Sequence, residues 1–484
     1  MSEQVLDDRA DHPEEACGVF AVYAPGRRVA NLTFDGLYAL QHRGQESAGM
    51  AVSDRSSITV VKNMGLVSHV FDDRTLASLP GDLAIGHTRY STTGASNWRN
   101  AQPSYRSIGE YGFALGHNGN LTNTAALAQE IGMLPGMVSS DTDVMAELLS
   151  LHFPPQKLDS SGGVDSSATD DELGPLVGAL KLVLPRLEGA FSLVIMDAER
   201  IIGVRDPHGF RPLCLGSLEE GWVIASEAPA LDVIGADFIR EVEPGEMVVI
   251  DRSGVRSLHP FGSDLPDPKL CIFEFVYFAR PDSKLLGREV HGARRAMGER
   301  LAHTRLVAAD LVMGVPDSGI PAAEGYALAS GIPYGQGLVK NRYIGRTFIA
   351  PDPSSRVSAV RRKLNALSEN IAGKRLVVVD DSIVRGTTTR AMVKLLREAG
   401  AKEVHIRISS PPYRWPCFYG IDTPLRDGLL AATASLEEIE TFLGADSLAY
   451  LPLEDLRLAI GRDHGFCDAC LTGSYPTVIE GSLS

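Results

Sequence analysis

The stretch RLVVVDDSIVRGTTTRAMVKLLREAG, residues 375–400, decides the fold of the C-terminal half of the chain. Residues 375–379 form a short, mostly apolar run that predicts a buried strand. Asp380 and Asp381 follow at its carboxyl end, which is where ligands bind in open α/β sheets. A helical pattern comes next, with apolar side chains at Met392, Val393, Leu395 and Leu396. The stretch therefore predicts a strand, a loop and a helix, with two carboxylates at the loop.

The loop between this strand and this helix has the composition of a phosphate-binding site. Its residues are Arg385, Gly386, Thr387, Thr388 and Thr389. A Gly/Thr loop that opens a helix offers backbone N–H groups, hydroxyl donors and the positive end of the helix dipole to an anion. It lacks the lysine of the GxxxxGK[ST] pattern, so it is not a P-loop. A plain turn with a threonine N-cap is the alternative, which the adjacent aspartates weaken because they suit ribose hydroxyls or a hydrated Mg²⁺.

Two other segments extend this anion-binding character. GVPDSG, residues 314–319, is again an apolar run that ends in small polar residues. LVKNRYIGRTFIAP carries Lys340, Arg342 and Arg346, and RRK at 361–363 adds three more cations. Beside an anion site, we expect these cations to contact the ligand and not only the solvent.

The strand–loop–helix stretch resembles the PRPP-binding motif of type I phosphoribosyltransferases. The resemblance implies that the threonine loop holds the 5′-phosphate and that Asp380 and Asp381 face the ribose. It also implies that Ser318 and the two aspartates are candidate Mg²⁺ ligands, and that Lys340 and Arg342 contact PRPP. Strand–helix alternation throughout this half predicts an α/β domain with a parallel sheet.

The N-terminal half has a different texture, with short strand-like runs that Gly, Asn and Asp turns separate. Helical patterns interrupt them near residues 32–41 and 141–152. Cys17 opens the first run, CGVFAV, directly after an acidic segment. If the chain is cut before Cys17, the new α-amine, with an intrinsic pKa of roughly 7.7–8.0, can act as the base for the thiol. A lone cysteine is more often a small buried residue, and this pattern alone leaves that alternative open.

Four motifs accompany Cys17 along the N-terminal half. They are QHRGQESAGM (41–50), GHTRYSTTG (86–94), GHNGNL (116–121) and SSDTDV (139–144). Each has a plain structural explanation, such as a surface ion pair for Arg89 or a hairpin turn at Asn118 and Gly119. Together and in this order, they resemble the N-terminal-nucleophile glutamine amidotransferase domain.

The amidotransferase resemblance implies an α+β domain of the αββα N-terminal-nucleophile (Ntn) hydrolase fold, and a role for each matching position. Cys17 is the nucleophile, and Asn118 with the N–H of Gly119 forms the oxyanion hole, where preorganised donors stabilise a tetrahedral intermediate. The implied glutamine-binding residues are Arg89 for the α-carboxylate, Asp143 for the α-ammonium group, and Arg43 and Gly44 on a loop that closes the pocket.

The cysteines point to metal binding or catalysis, because six in a chain of 484 residues are too few for a disulfide scaffold. Cys467 and Cys470 form a CxxC pair in FCDACLTG, whereas Cys271 and Cys417 stand alone. Four thiolates can hold zinc or an iron–sulfur cluster, and the spacing does not distinguish them. A dithiol redox pair with two buried cysteines is a third possibility. Cys214, in RPLCLG, is predicted to be a buried strand residue.

A glutaminase domain followed by a PRPP-binding domain resembles the amidophosphoribosyltransferase family over nearly the whole chain. The resemblance implies that ammonia from glutamine moves inside the protein to C1 of PRPP and displaces diphosphate, giving 5-phosphoribosylamine for purine synthesis. One subgroup carries a pro-segment and a [4Fe–4S] cluster, with cysteines in these contexts. The resemblance therefore assigns residues 1–16 to a pro-segment and the cluster to Cys271, Cys417, Cys467 and Cys470. It further implies Mg²⁺, a homotetramer and feedback inhibition by purine nucleotides.

Two other function classes are the alternatives. A glutaminase that serves another acceptor, as in glucosamine-6-phosphate synthase, shares the N-terminal motifs but lacks VVVDDSIVRGTTT. A PRPP- or nucleotide-sensing regulator would not need Cys17, Arg89, Asn118 and Asp143 together.

Composition limits the classes of partner that the chain can bind and indicates where its domains divide. The formal net charge of −15 argues against a sequence-independent nucleic-acid partner. No apolar stretch approaches about 18 residues and the N-terminus lacks a signal segment, so we expect a cytoplasmic protein without membrane contact. The segment PFGSDLPDPK, 260–269, predicts a linker between a glutaminase domain, 17–260, and a phosphoribosyltransferase domain, 261–484. Residues 156–174 predict a solvated insertion.

Overall fold

The structure is a computed structural model, and it describes residues 17–90, 98–134, 138–153, 173–341, 363–423 and 425–479. The predicted pro-segment, Arg342, Arg346, two of the three cations at 361–363 and most of the predicted insertion lie outside these residues.

The N-terminal half contains two antiparallel sheets. In chain order the strands are β1 (Gly18–Tyr23), β2 (Ser47–Ser53), β3 (Ile58–Met64), β4 (Leu83–Arg89), β5 (Ser104–Ile108), β6 (Tyr111–Leu121), β7 (Gly189–Met196), β8 (Ile201–Arg205), β9 (Cys214–Leu218), β10 (Gly221–Ala225), β11 (Asp237–Glu241), β12 (Met247–Asp251) and β13 (Gly254–Leu258). One sheet has the order β11-β9-β10-β1-β4-β2-β3, and the other β13-β12-β8-β7-β6-β5.

Helices cover the outer faces of the two sheets. They are α1 (Val29–Ala39), α2 (Val67–Val70), α3 (Asp73–Ala77), α4 (Thr124–Glu130), α5 (Asp141–Leu151), α6 (Pro175–Val183) and α7 (Pro229–Asp232), with 3₁₀ turns at Trp98–Asn100 and Leu184–Arg186.

The apolar core of this half lies in three layers. Between the sheets, Val19 and Ile85 from one sheet are buried with Val194 from the other. Helices α1 and α7 pack on the first sheet, and α5 and α6 on the second. Successive side chains of a strand point to opposite faces of its sheet. Each of these sheets therefore has two apolar faces, and both are covered. This is the αββα arrangement that the sequence predicted.

The C-terminal half is built around a parallel sheet. Its strands are β14 (Leu270–Cys271), β15 (Lys284–Leu285), β16 (Arg288–Glu289), β17 (Leu311–Gly314), β18 (Leu338–Lys340), β19 (Leu364–Ala366), β20 (Arg375–Asp380), β21 (Glu403–Ile408), β22 (Ser447–Tyr450) and β23 (Phe466–Cys467). Strands β17, β20, β21 and β22 pair in parallel in the order β17-β20-β21-β22.

Helices lie on both faces of this parallel sheet. They are α8 (Val290–Thr304), α9 (Ile320–Ser330), α10 (Ser368–Ile371), α11 (Thr387–Glu398), α12 (Leu430–Thr433), α13 (Leu436–Leu443), α14 (Leu453–Ile460) and α15 (Ala469–Thr472), with a π-helical turn at Glu274–Phe278.

Strand β20 shows why helices flank both faces. Its Val377 and Val379 belong to the core formed with α8, α9 and α14. Leu376 and Val378 belong to the opposite core, formed with α11 and α13. A strand that is apolar on both sides needs cover on both sides, as in other parallel sheets. The predicted α/β domain with a parallel sheet is therefore confirmed.

An irregular segment connects the two halves, and the short strand pair that follows it belongs to the C-terminal half. Residues 259–269 have no helix or strand, and β14 beyond them pairs in parallel with β23 near the C-terminus. None of the helices in the described part of the chain is long and apolar enough to cross a membrane.

Candidate functional site

The strand register brings Cys17 and Arg89 together. Cys17 directly precedes β1, and β1 pairs antiparallel with β4 so that Gly18 lies opposite Thr88. The Sγ of Cys17 is 3.7 Å from the carbonyl oxygen of Tyr90, which follows Arg89. The side chains of Cys17 and Arg89 are both largely buried. An Nη1–Oε2 distance of 3.6 Å joins Arg89 to Glu46.

Asn118 and Gly119 lie near the end of β6, opposite Ser192 and Phe191 of β7. The Asn118 side chain is fully buried, and neither its amide nitrogen nor its oxygen has a hydrogen-bond partner among the residues that the structure describes. Buried polar groups are nearly always hydrogen-bonded, so an orphaned amide indicates a site that a ligand completes. Gly119 has φ +147°, and a Cβ there would lie 2.0 Å from the Ala190 carbonyl oxygen, so only glycine fits.

A buried histidine links the cysteine and asparagine strands. His87, on β4, donates from Nε2 to the carbonyl oxygen of His117 on β6, at 2.9 Å. This bond crosses between the two sheets and joins the residues next to Thr88 and Asn118. Burial lowers the pKa of His87 to about 3, so the ring is neutral at physiological pH. The end of the strand that carries Arg89 is therefore fixed close to the predicted oxyanion residues.

Asp143 is held in the first turn of α5. The Ser140 hydroxyl caps this helix by accepting from the Asp143 backbone N–H, and Ser139 donates to the Asp143 carboxylate. Asp143 lines a cavity of about 480 Å³ together with Lys62, Trp98, Arg106 and six other residues. Arg106 approaches the Asp143 carboxylate at 3.6 Å. The cavity thus carries cationic groups and a carboxylate, which suits a zwitterion. Cys17 is not among the described residues that line this cavity.

Arg43 is placed in a buried ion network. Its Nε donates to Glu227, and its Nη2 donates to Glu274 at 2.6 Å, with all three side chains fully buried. The two carboxylates outweigh the burial that opposes its charge, and they raise the pKa of Arg43. Gly44 packs on β4, because a Cβ there would lie 2.5 Å from the Thr88 backbone. Gly44 therefore contacts the strand of Arg89, whereas the Arg43 side chain points to two carboxylates.

The predicted PRPP loop lies at the carboxyl end of β20. Asp380 and Asp381 are both almost fully buried there. Gly386 is the N-cap of α11 with φ +76°, and a Cβ there would lie 2.5 Å from the Leu430 side chain. Thr387, Thr388 and Thr389 form the first turn of α11, where the backbone N–H groups point out of the helix. Arg385 directly precedes Gly386 and is half-buried.

The segment of Ser318 lies at the same edge of the sheet. It follows β17, and Gly319 packs so tightly that a Cβ there would lie 2.3 Å from the Val379 carbonyl oxygen, next to Asp380. Lys340, at the end of β18, reaches the Asp317 carboxylate beside Ser318 at 2.8 Å. Among the described residues, no three His, Cys, Asp or Glu side chains are close enough to hold a single metal ion.

The four singled-out cysteines surround one cavity. Cys271 on β14 and Cys467 on β23 lie opposite each other in the parallel pair. Cys417 and Cys470 complete the lining, with Phe210, Arg211, Tyr419, Ile421, Ala469 and Tyr475. Burial raises the pKa of all four thiols, that of Cys271 to about 12. Four protonated thiols around one cavity form a donor set that a metal cluster would convert to thiolates.

Cys214 is separate from this group. It begins β9, is buried, and contacts the Ala225 carbonyl oxygen through its Sγ at 3.3 Å. The predicted role as a buried strand residue fits this position.

Three residues near these sites are not among the predicted site residues. Arg211 lines the cysteine cavity, and its Nη1 lies 3.4 Å from Glu274, which also binds Arg43. His87 is the third, because it joins the two sheets. Two of them have a local signal: Glu274 is an acidic residue inside the apolar run CIFEFVYF, and His87 lies within GHTRYSTTG.

Family models match both halves of the chain. The phosphoribosyl transferase domain model matches residues 291–409, and the glutamine amidotransferase domain model matches residues 87–233. The first match contains the parallel sheet strands β17, β20 and β21, and the second contains strands β5 to β10.

Whole proteins of known name are similar over nearly the full length. The amidophosphoribosyltransferase of Mycobacterium tuberculosis is 52% identical over 98% of this chain and 89% of its own length. That of Bacillus subtilis is 45% identical over 96% of this chain and 95% of its own length. The solved structure of glutamine PRPP amidotransferase from B. subtilis, complexed with ADP and GMP, has a TM-score of 0.85 at 44% identity, covering 96% of this chain and 98% of that one. The chain belongs to the amidophosphoribosyltransferase family, and it is a glutamine-dependent phosphoribosyltransferase of the first step of purine biosynthesis.

Proposed function

We propose that glutamine is hydrolysed at Cys17 and that the ammonia is used at a separate PRPP site. The Cys17 sulfur attacks the side-chain amide carbon of glutamine, and the carbonyl electrons move to the oxygen. Asn118 and the Gly119 N–H then stabilise this oxyanion. The α-amine of Cys17 accepts the thiol proton during the attack and gives it to the leaving nitrogen as the C–N bond breaks and ammonia departs, and water then hydrolyses the thioester to glutamate. The observation that carries this proposal is the fully buried Asn118 amide without a hydrogen-bond partner in the structure.

The glutamine-binding assignments follow from charge. Arg89 beside Cys17 suits the substrate α-carboxylate, and Asp143 in the zwitterion-compatible cavity suits the α-ammonium group. Gly44 supports the strand that carries Arg89. Arg43 would belong to the loop that closes the pocket, and its two ion pairs hold the base of that loop.

The PRPP assignments follow from the loop at α11. Thr387, Thr388 and Thr389 would hold the 5′-phosphate with Gly386 and Arg385, since a helix N-terminus binds anions. Asp380 and Asp381 would accept from the ribose hydroxyls. Lys340 and Arg342 would bind the diphosphate. Ammonia then attacks C1, and the C1–O bond to diphosphate breaks.

Mg²⁺ fits this edge of the sheet, where the protein and the substrate would both supply its ligands. Ser318, Asp380 and Asp381 offer oxygen donors there, and Mg²⁺ usually binds one or two carboxylates together with substrate phosphates and water. When bound, Mg²⁺ neutralises charge on the leaving diphosphate.

The cysteine cavity supports a [4Fe–4S] cluster held by Cys271, Cys417, Cys467 and Cys470. In such a cluster each thiolate binds a different iron, so the thiolates surround a volume and do not converge on one ion. The proposed role of Cys17 also requires cleavage before this residue, because the nucleophile needs a free α-amine. Purified protein should be brown, contain about four irons per chain, and have the mass of residues 17–484. A colourless, active protein with zinc would refute the cluster.

The remaining proposals concern the assembly, its regulation and its location. The B. subtilis enzyme of known structure is complexed with ADP and GMP, which supports feedback binding of purine nucleotides here. We also propose a cytoplasmic homotetramer with domains at 17–260 and 261–484. Light scattering with and without GMP tests the oligomeric state, and GMP inhibition of PRPP-dependent glutamate release tests the feedback.

Cys17→Ala tests the separation of the two sites. The variant should lose glutamine use and keep phosphoribosylamine formation from added ammonia, because the PRPP site does not need the thiol. Cys214→Ala is the matched control, since this buried cysteine is far from both sites in sequence and belongs to the outer core of the first sheet. Loss of the ammonia-dependent reaction in Cys17→Ala, but not in the control, would show that the sites do not work separately.

A further inference from the structure

A segment of the C-terminal half lies directly against the predicted oxyanion residues Asn118 and Gly119 on β6. The Asn120 side chain donates to the Phe418 carbonyl oxygen at 2.9 Å. Gly420 has φ +100°, and a Cβ there would lie 3.0 Å from the carbonyl carbon and 3.2 Å from the Cα of Gly119. The backbone of residues 418–420 therefore touches the residue that is to provide the oxyanion N–H.

The same segment forms one wall of the cysteine cavity. Cys417 and Tyr419 both line it. The Tyr419 backbone N–H points to the Cys417 Sγ at 3.3 Å, and the Tyr419 carbonyl accepts from Arg211 at 2.9 Å. The Tyr419 ring stacks on Phe210, with centroids 4.3 Å apart. Three contacts thus hold Tyr419 in the cavity wall, and Gly420 is the next residue along the chain.

The other side of this wall contacts β7, the strand paired with the oxyanion residues of β6. Ala190 of β7, opposite Asn120 of β6, belongs to the same apolar cluster as Phe210, Tyr419 and Cys467. The Ala190 carbonyl oxygen also accepts from His117 Nε2 at 3.2 Å. The oxyanion residues of β6 therefore lie between β7 and residues 418–420, with the cysteine cavity behind both.

We propose that Phe418 and Gly420 are positioning residues for the oxyanion hole, and that the group held by the four cysteines fixes them against Gly119. This inference rests on the proposed roles of Asn118, Gly119 and the cysteines. Oxyanion donors act only when they are preorganised toward the position of the developing charge. A small shift of the Gly119 peptide should therefore weaken transition-state binding more than glutamine binding.

Gly420→Ala in the iron-loaded protein tests the contact. The new methyl group must push the Gly119 backbone away, so the kcat of PRPP-dependent glutamine hydrolysis should fall about tenfold or more, a part of the about 10²–10³-fold loss expected when one donor is removed. The KM for glutamine and the ammonia-dependent reaction should stay within about twofold of wild type. Gly461→Ala is the matched control, because it has a similar φ of +90° and no atom within 4 Å of the new Cβ.

Binding of the aldehyde analogue of glutamine, glutamate γ-semialdehyde, provides a readout other than activity. The Cys17 thiol adds to its carbonyl, and the oxygen that becomes negative needs the oxyanion hole. Calorimetry should show weaker aldehyde binding in Gly420→Ala by the same factor as the loss of kcat, and unchanged binding of glutamate. Equal aldehyde binding in Gly420→Ala and Gly461→Ala would overturn the proposal.

If Gly420→Ala loses iron or does not fold, Asn120→Ala is the second test of the contact. It removes the hydrogen bond to Phe418 without adding volume. It should lower kcat in the same selective way, and wild-type kcat would refute the inference. If wild-type protein itself hydrolyses no glutamine, or if Cys17→Ala still does, the proposed glutaminase site fails before this contact is tested.

Discussion

The Asn118 side chain combines two properties that local structure does not explain. It is fully buried, yet its amide has no hydrogen-bond partner in the structure. Leaving a buried amide unsatisfied costs about 1–3 kcal/mol, which a protein recovers only when a ligand completes the bond. Asn118 is therefore the residue whose substitution reports most directly on the proposed oxyanion hole.

Asn118→Ala should lower the kcat of glutamine hydrolysis by about 10²–10³-fold, because one oxyanion donor is lost. The KM for glutamine should change little, since the donor acts in the transition state. Asn31→Ala is the control: its Oδ1 is also buried without a partner, but it lies on α1, on the outer face of the first sheet. Steady-state glutamate release measures both, and a similar small effect in the two variants would contradict the assignment.

His87 makes the stability of the protein depend on pH. Burial holds its pKa at about 3, below the value of about 6.5 in the unfolded chain. The unfolded chain therefore binds the extra proton between these values. The stability that neutral His87 contributes is complete above about pH 6.5 and is lost as the pH falls, by at most about 1.4 kcal/mol per pH unit.

His87→Gln keeps a donor for the His117 carbonyl and removes this titration. Its thermal midpoint should fall less than that of wild type between pH 7 and pH 5. The fully exposed His464→Gln variant should follow the wild-type curve. Parallel curves for wild type and His87→Gln would show that another group sets the acid sensitivity.

At the scale of elements, helices α8 and α9 cross at a distance that only glycine permits. A Cβ on Gly298 would lie 1.7 Å from the Ala322 carbonyl oxygen, and a Cβ on Gly325 would lie 1.9 Å from the Arg295 carbonyl oxygen. These two helices form one face of the core over the parallel sheet. Their close packing is therefore set by two small residues that face backbone on the neighbouring helix.

Gly298→Ala should destabilise the C-terminal half, by about 1–3 kcal/mol for overpacking or more if the helices must separate. Gly292→Ala, on the same helix, meets no atom within 4 Å and should be neutral or stabilising by up to about 1 kcal/mol. Thermal unfolding of the two variants compares them directly. Equal midpoints would mean that the helix pair adjusts without cost.

At the scale of the whole molecule, a chain of buried charges joins the two halves. Glu227, from the N-terminal half, and Glu274, from the C-terminal half, both bind Arg43, and Arg211 continues from Glu274 to the cysteine cavity. Desolvation acts to raise the pKa of Glu227, but Arg43 and His42 hold it well below its ordinary value. The Glu227 carboxylate is thus charged inside the protein, where it needs its cation.

Arg43→Met should destabilise the protein by about 3–5 kcal/mol, because it leaves buried carboxylates without their shared cation. Arg295→Met is the control, since Arg295 forms an exposed pair with Glu299 on α8, a kind of pair worth about 0.3–0.5 kcal/mol. Calorimetric unfolding distinguishes them. A loss no larger than that of the control would show that the network is replaceable by apolar packing.

Local sequence determined much of this protein. Residues 375–400 predict the strand, loop and helix that the structure has, because apolar periodicity and glycine placement are properties of neighbouring residues. The Ntn and phosphoribosyltransferase folds and the family also follow from motifs in order. The roles of the individual site residues stay predictions.

Only the tertiary structure decided which distant residues meet. Glu274 lies 231 positions from Arg43, and Phe418 lies 298 positions from Asn120. No local periodicity encodes such contacts, because they depend on how two cores dock and on which backbone segments approach closely. The same reason applies to the cysteines: the spacing allowed a redox pair, a zinc ion or a cluster, and the fold placed all four around one cavity.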